Sequence, residues 1–119
     1  MIVVGHSKCG GADASLKAAE APGFVPKVPI TTIGSEPCDS PLNRWLEPLT
    51  LLAYSLPLPK NHEAALDLVV RENVKAQVDT IEKVIKCWKP LKKSVVVHGW
   101  FYDLATGRLS DLCISRCLD

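Results

Sequence analysis

The chain has 119 residues and a formal net charge of +1, with 47% hydrophobic and 23% charged residues. This length suits a single domain, and the composition is that of a globular protein rather than a disordered, collagen-like or coiled-coil chain. The balanced charge gives no electrostatic basis for binding nucleic acid. No stretch approaches the roughly 18 apolar residues of a membrane helix. The sequence therefore predicts neither a nucleic acid nor a membrane as a partner.

The first predicted element is a strand over residues 1–4, a continuous apolar run that ends at Gly5. Such a run is typical of a strand covered on both faces. A short helix is predicted over residues 12–20. Residues 22–40 are rich in proline, serine and threonine, which indicates a loop insertion.

Ser40 and Pro41 have the residue types of an N-cap and a first helical position, so a second helix should begin there. Apolar residues recur along it at steps of three and four, which predicts a buried face made of Leu42, Trp45, Leu49, Leu52 and Leu56.

Asn61 can cap the longest predicted helix, residues 62–88, which Pro90 would end. Cys87, near its end, is expected to be a small buried hydrophobe. Two ion pairs, Asp79–Lys83 and Glu82–Lys86, are expected on its outer side. Its inward face is predicted to carry Leu66, Val70, Val74, Val78 and Ile81.

Residues 94–104 form the strongest predicted strand, followed by a turn at 105–108 and a return strand at 109–114. Asp103 and Arg108 flank this turn and are expected to pair. A strand–helix–strand connection implies a parallel pair, and a short turn implies an antiparallel one. The predicted fold class is therefore α/β: one domain, residues 1–119, with a small, mostly parallel sheet, an antiparallel last strand and flanking helices.

His6 and Cys9 lie just after the first strand and before a helix, where α/β proteins place their sites. Imidazole and thiolate are ligands that zinc prefers. Gly10 and Gly11 would let the backbone turn sharply and approach a bound group. The pair is either half of a metal site or a loop histidine beside a buried thiol.

These residues are part of a wider resemblance. The segment Val3-Val4-Gly5-His6-Ser7-Lys8-Cys9-Gly10-Gly11 resembles the second zinc-ligand motif of the β-class carbonic anhydrases. Residues 41–49, 72–78 and 97–109 resemble later helices and strands of the same family, in the same order. Only residues 22–40 have the character of an insertion.

The resemblance implies a zinc lyase that interconverts carbon dioxide and bicarbonate. It makes His6 and Cys9 the second and third protein ligands of a Cys, His, Cys set whose zinc activates water. The family's first cysteine, in a Cys-x-Asp-x-Arg motif on an earlier strand, has no counterpart in these 119 residues. The fold is therefore expected to be a truncated β-carbonic-anhydrase-like one with impaired activity, and its catalytic side chains stay unassigned.

The remaining cysteines leave alternatives open. Cys38 is either a substitute zinc ligand or a free loop thiol. Cys113 and Cys117 either form a disulfide or clip or stay unpaired. An odd number of cysteines and no recognisable signal peptide favour a reducing, cytoplasmic location. His98 and Trp100 are expected to pack or hydrogen bond in the core.

Two functions of different class remain at this stage. One is an enzyme acting on carbon dioxide, or on a related linear molecule such as carbon disulfide or carbonyl sulfide. The other is a non-catalytic truncated homologue that serves as a binding or scaffold protein. In either case a homodimer is expected, because family members are dimers and because the edge of strand 1–4 is apolar and free of charge.

Overall fold

The computed structural model describes residues 1–87 and 94–119. Along these residues no helix is long and apolar enough to cross a membrane. The predicted end of the long helix at Trp88 and its stop at Pro90 lie outside the described residues. The order of elements is as predicted: β1 (Ile2–His6), α1 (Gly10–Glu20), α2 (Pro41–Ser55), α3 (His62–Cys87), β2 (Val95–Asp103) and β3 (Arg108–Leu118).

The chain divides into two compact units, residues 1–7 with 70–119 and residues 8–69. The first unit contains a three-stranded sheet in the order β1-β2-β3. β1 is parallel to β2, with Ile2 opposite His98, and β3 is antiparallel to β2. The predicted α/β class, with one parallel pair and an antiparallel last strand, is confirmed.

The last strand continues to Leu118, four residues beyond its predicted end at Ile114. Ile114 lies opposite Gly99 and Asp111 lies opposite Trp100, so two residues of β3 are left without a partner between them. One of them, Cys113, has a φ of 57°. Such a bulge interrupts the alternation of side chains by which a strand is recognised in sequence.

One face of α3 forms the core of the first unit against the sheet. Val74, Val78 and Ile85 are buried together with Val97 and Leu118. The predicted inward face is confirmed, since Leu66, Val70, Val74 and Val78 are buried and Ile81 packs partly buried against the core.

The predictions for the outer side and the end of α3 are confirmed only in part. Glu82 pairs with Lys86 at 2.6 Å as expected, but Asp79 pairs with Arg116 of β3 at 2.8 Å rather than with Lys83. Cys87 is exposed, which corrects its expected burial. It lies two residues after Ile85, and this step takes it off the buried stripe of the helix.

Two glycines allow α3 to approach the sheet. A Cβ added at Gly5 of β1 would lie 2.6 Å from methyl groups of both Val70 and Val74. A Cβ added at Gly99 of β2 would lie 3.0 Å from a methyl group of Val74. Real Cβ atoms essentially never approach other carbon atoms as closely as at Gly5, so the close approach of α3 favours glycine there, whereas a Cβ at Gly99 would need Val74 to shift by a few tenths of an ångström.

The opposite face of β1 is open, which corrects the expectation of a strand covered on both sides. Successive side chains of a strand point to opposite faces. Val3 packs against the α3 core, whereas Ile2 and Val4 are 47% and 49% exposed. A continuous apolar run therefore does not show by itself that both faces are covered.

In the second unit, α1 packs against α2. Ser40 caps α2 as predicted, since its hydroxyl accepts a hydrogen bond from the Asn43 backbone N–H at 3.2 Å. The prediction of which face of α2 is buried is wrong. Leu42 and Trp45 are 41% and 73% exposed, and the buried stripe consists of Asn43, Leu46, Thr50 and Ala53.

The stripe is displaced because two of its polar residues are hydrogen bonded to the preceding loop. The Asn43 side-chain amide bonds the backbone of Ile33, Glu36 and Pro37. The Thr50 hydroxyl lies 2.7 Å from that of Thr32. Buried polar groups with hydrogen-bond partners cost little, so a loop can bury the polar side of a helix.

We expect Gly5→Ala to lower the free energy of unfolding by about 1–3 kcal/mol, because its methyl group would overlap two valine side chains in the core. Gly34→Ala is the matched control, since an added Cβ there meets nothing within 4 Å. Urea unfolding of both variants and the parent measures the difference. Equal stability of the two variants would contradict the close approach of α3 to β1.

Candidate metal centre

His6 is the last residue of β1, at the carboxyl end of the parallel strand pair. Its Nδ1 lies 2.9 Å from the Ser7 carbonyl oxygen. A carbonyl oxygen only accepts, so Nδ1 carries the proton and donates. In the neutral imidazole this leaves the lone pair on Nε2. Metal-binding histidines commonly have this arrangement, with one ring nitrogen bonded to a carbonyl and the other free for the metal.

Ser7 fixes the chain directly after His6. Its backbone N–H donates to the Tyr102 carbonyl at 2.9 Å. Its hydroxyl accepts from the Leu104 N–H at 2.9 Å and lies 3.4 Å from a carboxylate oxygen of Asp103. The end of β1 is thus tied to the end of β2 through one buried serine. The sequence contained no signal for these bonds, since the partners are about 97 residues apart.

The Asp103 carboxylate is hydrogen bonded within the turn that follows β2. It accepts hydrogen bonds from the Ala105 N–H and the Thr106 hydroxyl, at 2.9 Å and 2.8 Å. These bonds hold the pKa of Asp103 below its ordinary value. The hydrogen bonds to Ala105 and Thr106 take the place of the ion pair with Arg108. Although Arg108 lies opposite Asp103 in the strand register, the carboxylate is used to close the turn.

Cys9 is the N-cap residue of α1 and is partly exposed, and its side chain makes no capping hydrogen bond. The turn before it depends on Lys8, which has a φ of 56°, and not on the two glycines that follow. Gly10 and Gly11 are the first residues of α1. An added Cβ at Gly10 would meet nothing within 4 Å, so open space remains beside Cys9.

The ligand types fit zinc, but their number falls short of a complete site. Catalytic zinc keeps three protein ligands. Over residues 1–87 and 94–119, no group of three or more His, Cys, Asp or Glu side chains is placed to hold a metal ion. His6 belongs to the first unit and Cys9 to the second. Within the described residues, His6 and Cys9 therefore do not make up a complete catalytic zinc site, and their role as ligands stays a prediction.

A cluster of polar side chains in the second unit connects α1 with the first residue of α3. His62 Nε2 is 2.6 Å from one Asp13 oxygen, and the Lys17 ammonium is 2.6 Å from the other. The hydrogen bonds from Lys17 and His62 hold the pKa of Asp13 below its ordinary value. Asp13 and His62 border an open groove of about 410 Å³, which is also lined by Lys8, Gly10, Glu63 and Leu66. Sequence reasoning missed this cluster.

The five cysteines are all free. Cys113 and Cys117 therefore do not form the disulfide that was one of the alternatives. Cys38 is exposed in the loop before α2, and its role as a substitute ligand stays a prediction. His98 lies 2.9 Å from the Ser115 hydroxyl and Trp100 is partly buried, in keeping with their expected structural roles.

Three comparisons with known proteins place the chain. No curated protein sequence matches it. A β-carbonic anhydrase of Sordaria macrospora, from a pair described as tetrameric, is 23% identical with a TM-score of 0.62, covering 97% of this chain and 52% of its own. The Coccomyxa β-carbonic anhydrase in complex with acetazolamide is 22% identical with a TM-score of 0.63, covering 97% and 47%.

The TM-scores show a shared fold, and the chain spans about half the length of both solved structures. Membership rests on the family comparison, in which the carbonic anhydrase model matches residues 1–109. The match includes β1, the turn that bears His6 and Cys9, all three helices and β2. The chain therefore belongs to the β-carbonic anhydrase family.

Proposed function

We propose that this chain is a zinc-dependent carbonic-anhydrase-like protein in which His6 and Cys9 bind the metal. The observation that carries the proposal is the hydrogen bond from His6 Nδ1 to the Ser7 carbonyl, which leaves Nε2 free at the carboxyl end of β1. Zinc would supply water activation for the reversible hydration of carbon dioxide to bicarbonate. The five free thiols support a reducing, cytoplasmic location as part of this proposal.

The same residues support a low rate for the isolated chain. Two protein ligands hold zinc less firmly than three, and the described residues form no larger ligand group. The second candidate function, a non-catalytic homologue that binds or supports another molecule, is favoured by this shortage of ligands. Zinc content separates the two functions, since a non-catalytic homologue has no need of the metal.

We expect one zinc ion per chain in the purified protein and its loss in Cys9→Ser, because a serine hydroxyl does not replace a thiolate ligand. Elemental analysis of metal per chain gives the measurement. Cys87→Ser, which changes an exposed thiol on α3, is the matched control and should keep the metal. Loss of zinc in Cys38→Ser as well would identify Cys38 as the substitute ligand. Full zinc retention in Cys9→Ser would contradict the assignment.

Carbon dioxide hydration by the isolated chain should be at least about 100-fold slower than by a β-carbonic anhydrase with a complete ligand set. Losing a group that only orients a metal ligand costs 10 to 100-fold, and losing a ligand should cost more. Stopped-flow measurement of the proton released gives the rate. A rate equal to that of the complete enzyme would show that the chain rebuilds its site by other means.

The homodimer is also part of this proposal. β1 is an edge strand of the described sheet, and its outer backbone groups have no strand beside them. Between Ile2 and Gly5 the strand has no charged side chain, no proline and two exposed β-branched residues. Such an edge favours pairing with another strand. Two copies related by a two-fold axis would pair their β1 strands antiparallel and form one six-stranded sheet.

We expect the protein to sediment as a species of twice its 13.0 kDa chain mass at micromolar concentration. Val4→Lys should shift it to a monomer, since a charge on an edge strand opposes pairing. Val25→Lys is the control, because Val25 is 64% exposed and lies in the loop insertion. A stable monomer of the parent at all concentrations tested would refute β1 pairing.

A further inference from the structure

Ser7 follows His6 directly and is held at the end of β2 by two short hydrogen bonds. Its backbone N–H donates to the Tyr102 carbonyl oxygen at 2.9 Å, and its hydroxyl oxygen accepts from the Leu104 N–H, also at 2.9 Å. The residue is only 9% exposed, so water competes little for these bonds. Because Ser7 is bonded through both its backbone and its side chain, its carbonyl group is kept in one direction.

The turn after β2 presents the Leu104 N–H to Ser7. Asp103 closes this turn by accepting hydrogen bonds from the Ala105 N–H and the Thr106 hydroxyl. The Asp103 carboxylate also lies 3.4 Å from the Ser7 hydroxyl, which is longer than a strong O–H···O hydrogen bond. The Leu104 N–H is therefore the main contact from the turn to Ser7, and Asp103 acts mostly by shaping the turn.

The direction of the Ser7 carbonyl decides which nitrogen of His6 carries the proton. Nδ1 of His6 lies 2.9 Å from that carbonyl oxygen. In a neutral histidine free in water the proton prefers Nε2, whereas a carbonyl acceptor beside Nδ1 favours the Nδ1–H tautomer. This tautomer leaves the lone pair on Nε2, and a metal ion binds a neutral imidazole only through a nitrogen that carries no proton.

We propose that Ser7 is a positioning residue for metal binding, which holds His6 in the Nδ1–H tautomer through its hydrogen bond to the turn after β2. The consequence for zinc rests on the proposed function, whereas the tautomer is a property of the metal-free chain. Removing the hydroxyl leaves the Leu104 N–H without its acceptor and lets the Ser7 carbonyl turn away from the imidazole. The effect of Ser7 on metal binding passes entirely through His6.

The chain has three histidines, so NMR of protein made with nitrogen-labelled histidine can follow each ring separately. The metal-free protein is measured at a pH of about 8.5, where histidine rings are neutral, and His6→Gln identifies the signals of His6. We expect the Nδ1–H tautomer to predominate at His6 in the parent. In Ser7→Ala the ratio of the Nδ1–H to the Nε2–H tautomer should fall about fivefold, the effect of losing one neutral hydrogen bond.

Ser7→Thr keeps the hydroxyl and should keep the parent ratio, which separates the hydrogen bond from the surrounding packing. Ser115→Ala is the matched control, because the Ser115 hydroxyl lies 2.9 Å from Nδ1 of another histidine of the same sheet, His98. It should alter the signals of His98 and leave those of His6 unchanged. Asp103→Ala should lower the ratio at His6 less than Ser7→Ala does, since the contact between Asp103 and Ser7 is long.

Zinc affinity gives a second measurement, by competition with a chromophoric chelator. Ser7→Ala should bind zinc about 10-fold more weakly than the parent, the lower end of the range for groups that orient metal ligands, and Ser7→Thr should bind it as the parent does. Absence of zinc binding in the parent would contradict the proposed function, while the tautomer ratio of the metal-free protein would still decide what Ser7 does to His6.

A parent in which His6 carries its proton mainly on Nε2 would overturn the proposal. So would a folded Ser7→Ala variant with the parent's tautomer ratio, or one that binds zinc as tightly as a zinc-binding parent. Circular dichroism establishes that each variant is folded. If Ser7→Ala does not fold, an unchanged tautomer ratio in Asp103→Ala overturns the proposal in its place.

Discussion

The close packing of α3 on β1 and β2 is the constraint on which the sheet unit depends. It favours backbone without a Cβ at Gly5, where an added methyl group would lie 2.6 Å from two valine side chains, and leaves little room at Gly99, where the contact would be 3.0 Å. At this distance Val74 and Val78 fill the space above the strands and shield the core from water. The parallel pairing of β1 with β2 follows, since the helix that connects them has to cross the face it covers.

That packing also sets the position of His6. Once β1 is paired with β2, Ser7 can bond to Tyr102 and Leu104 and hold the chain at the end of both strands. The imidazole is then oriented by the next carbonyl along the chain. The family match covers this strand and the turn after it, and the role of His6 and Cys9 as metal ligands stays a proposal.

In the second unit, polar contacts hold the loop that precedes α2. Asn43 bonds three backbone positions of the loop before α2, and Thr50 bonds Thr32. Leucine and tryptophan side chains of the same helix are left partly in water, with Trp45 the most exposed of them.

The sequence by itself determined the order of strands and helices, the inward face of α3 and the capping residues Ser40 and Asn61, because each depends on neighbours a few residues away. The resemblance to a family motif also predicts His6 and Cys9 as metal ligands, and this stays a prediction. Only the tertiary structure decided which side of α2 is buried and where Arg116 pairs. These features depend on hydrogen bonds and charges between distant segments, which no local pattern of hydrophobic residues records.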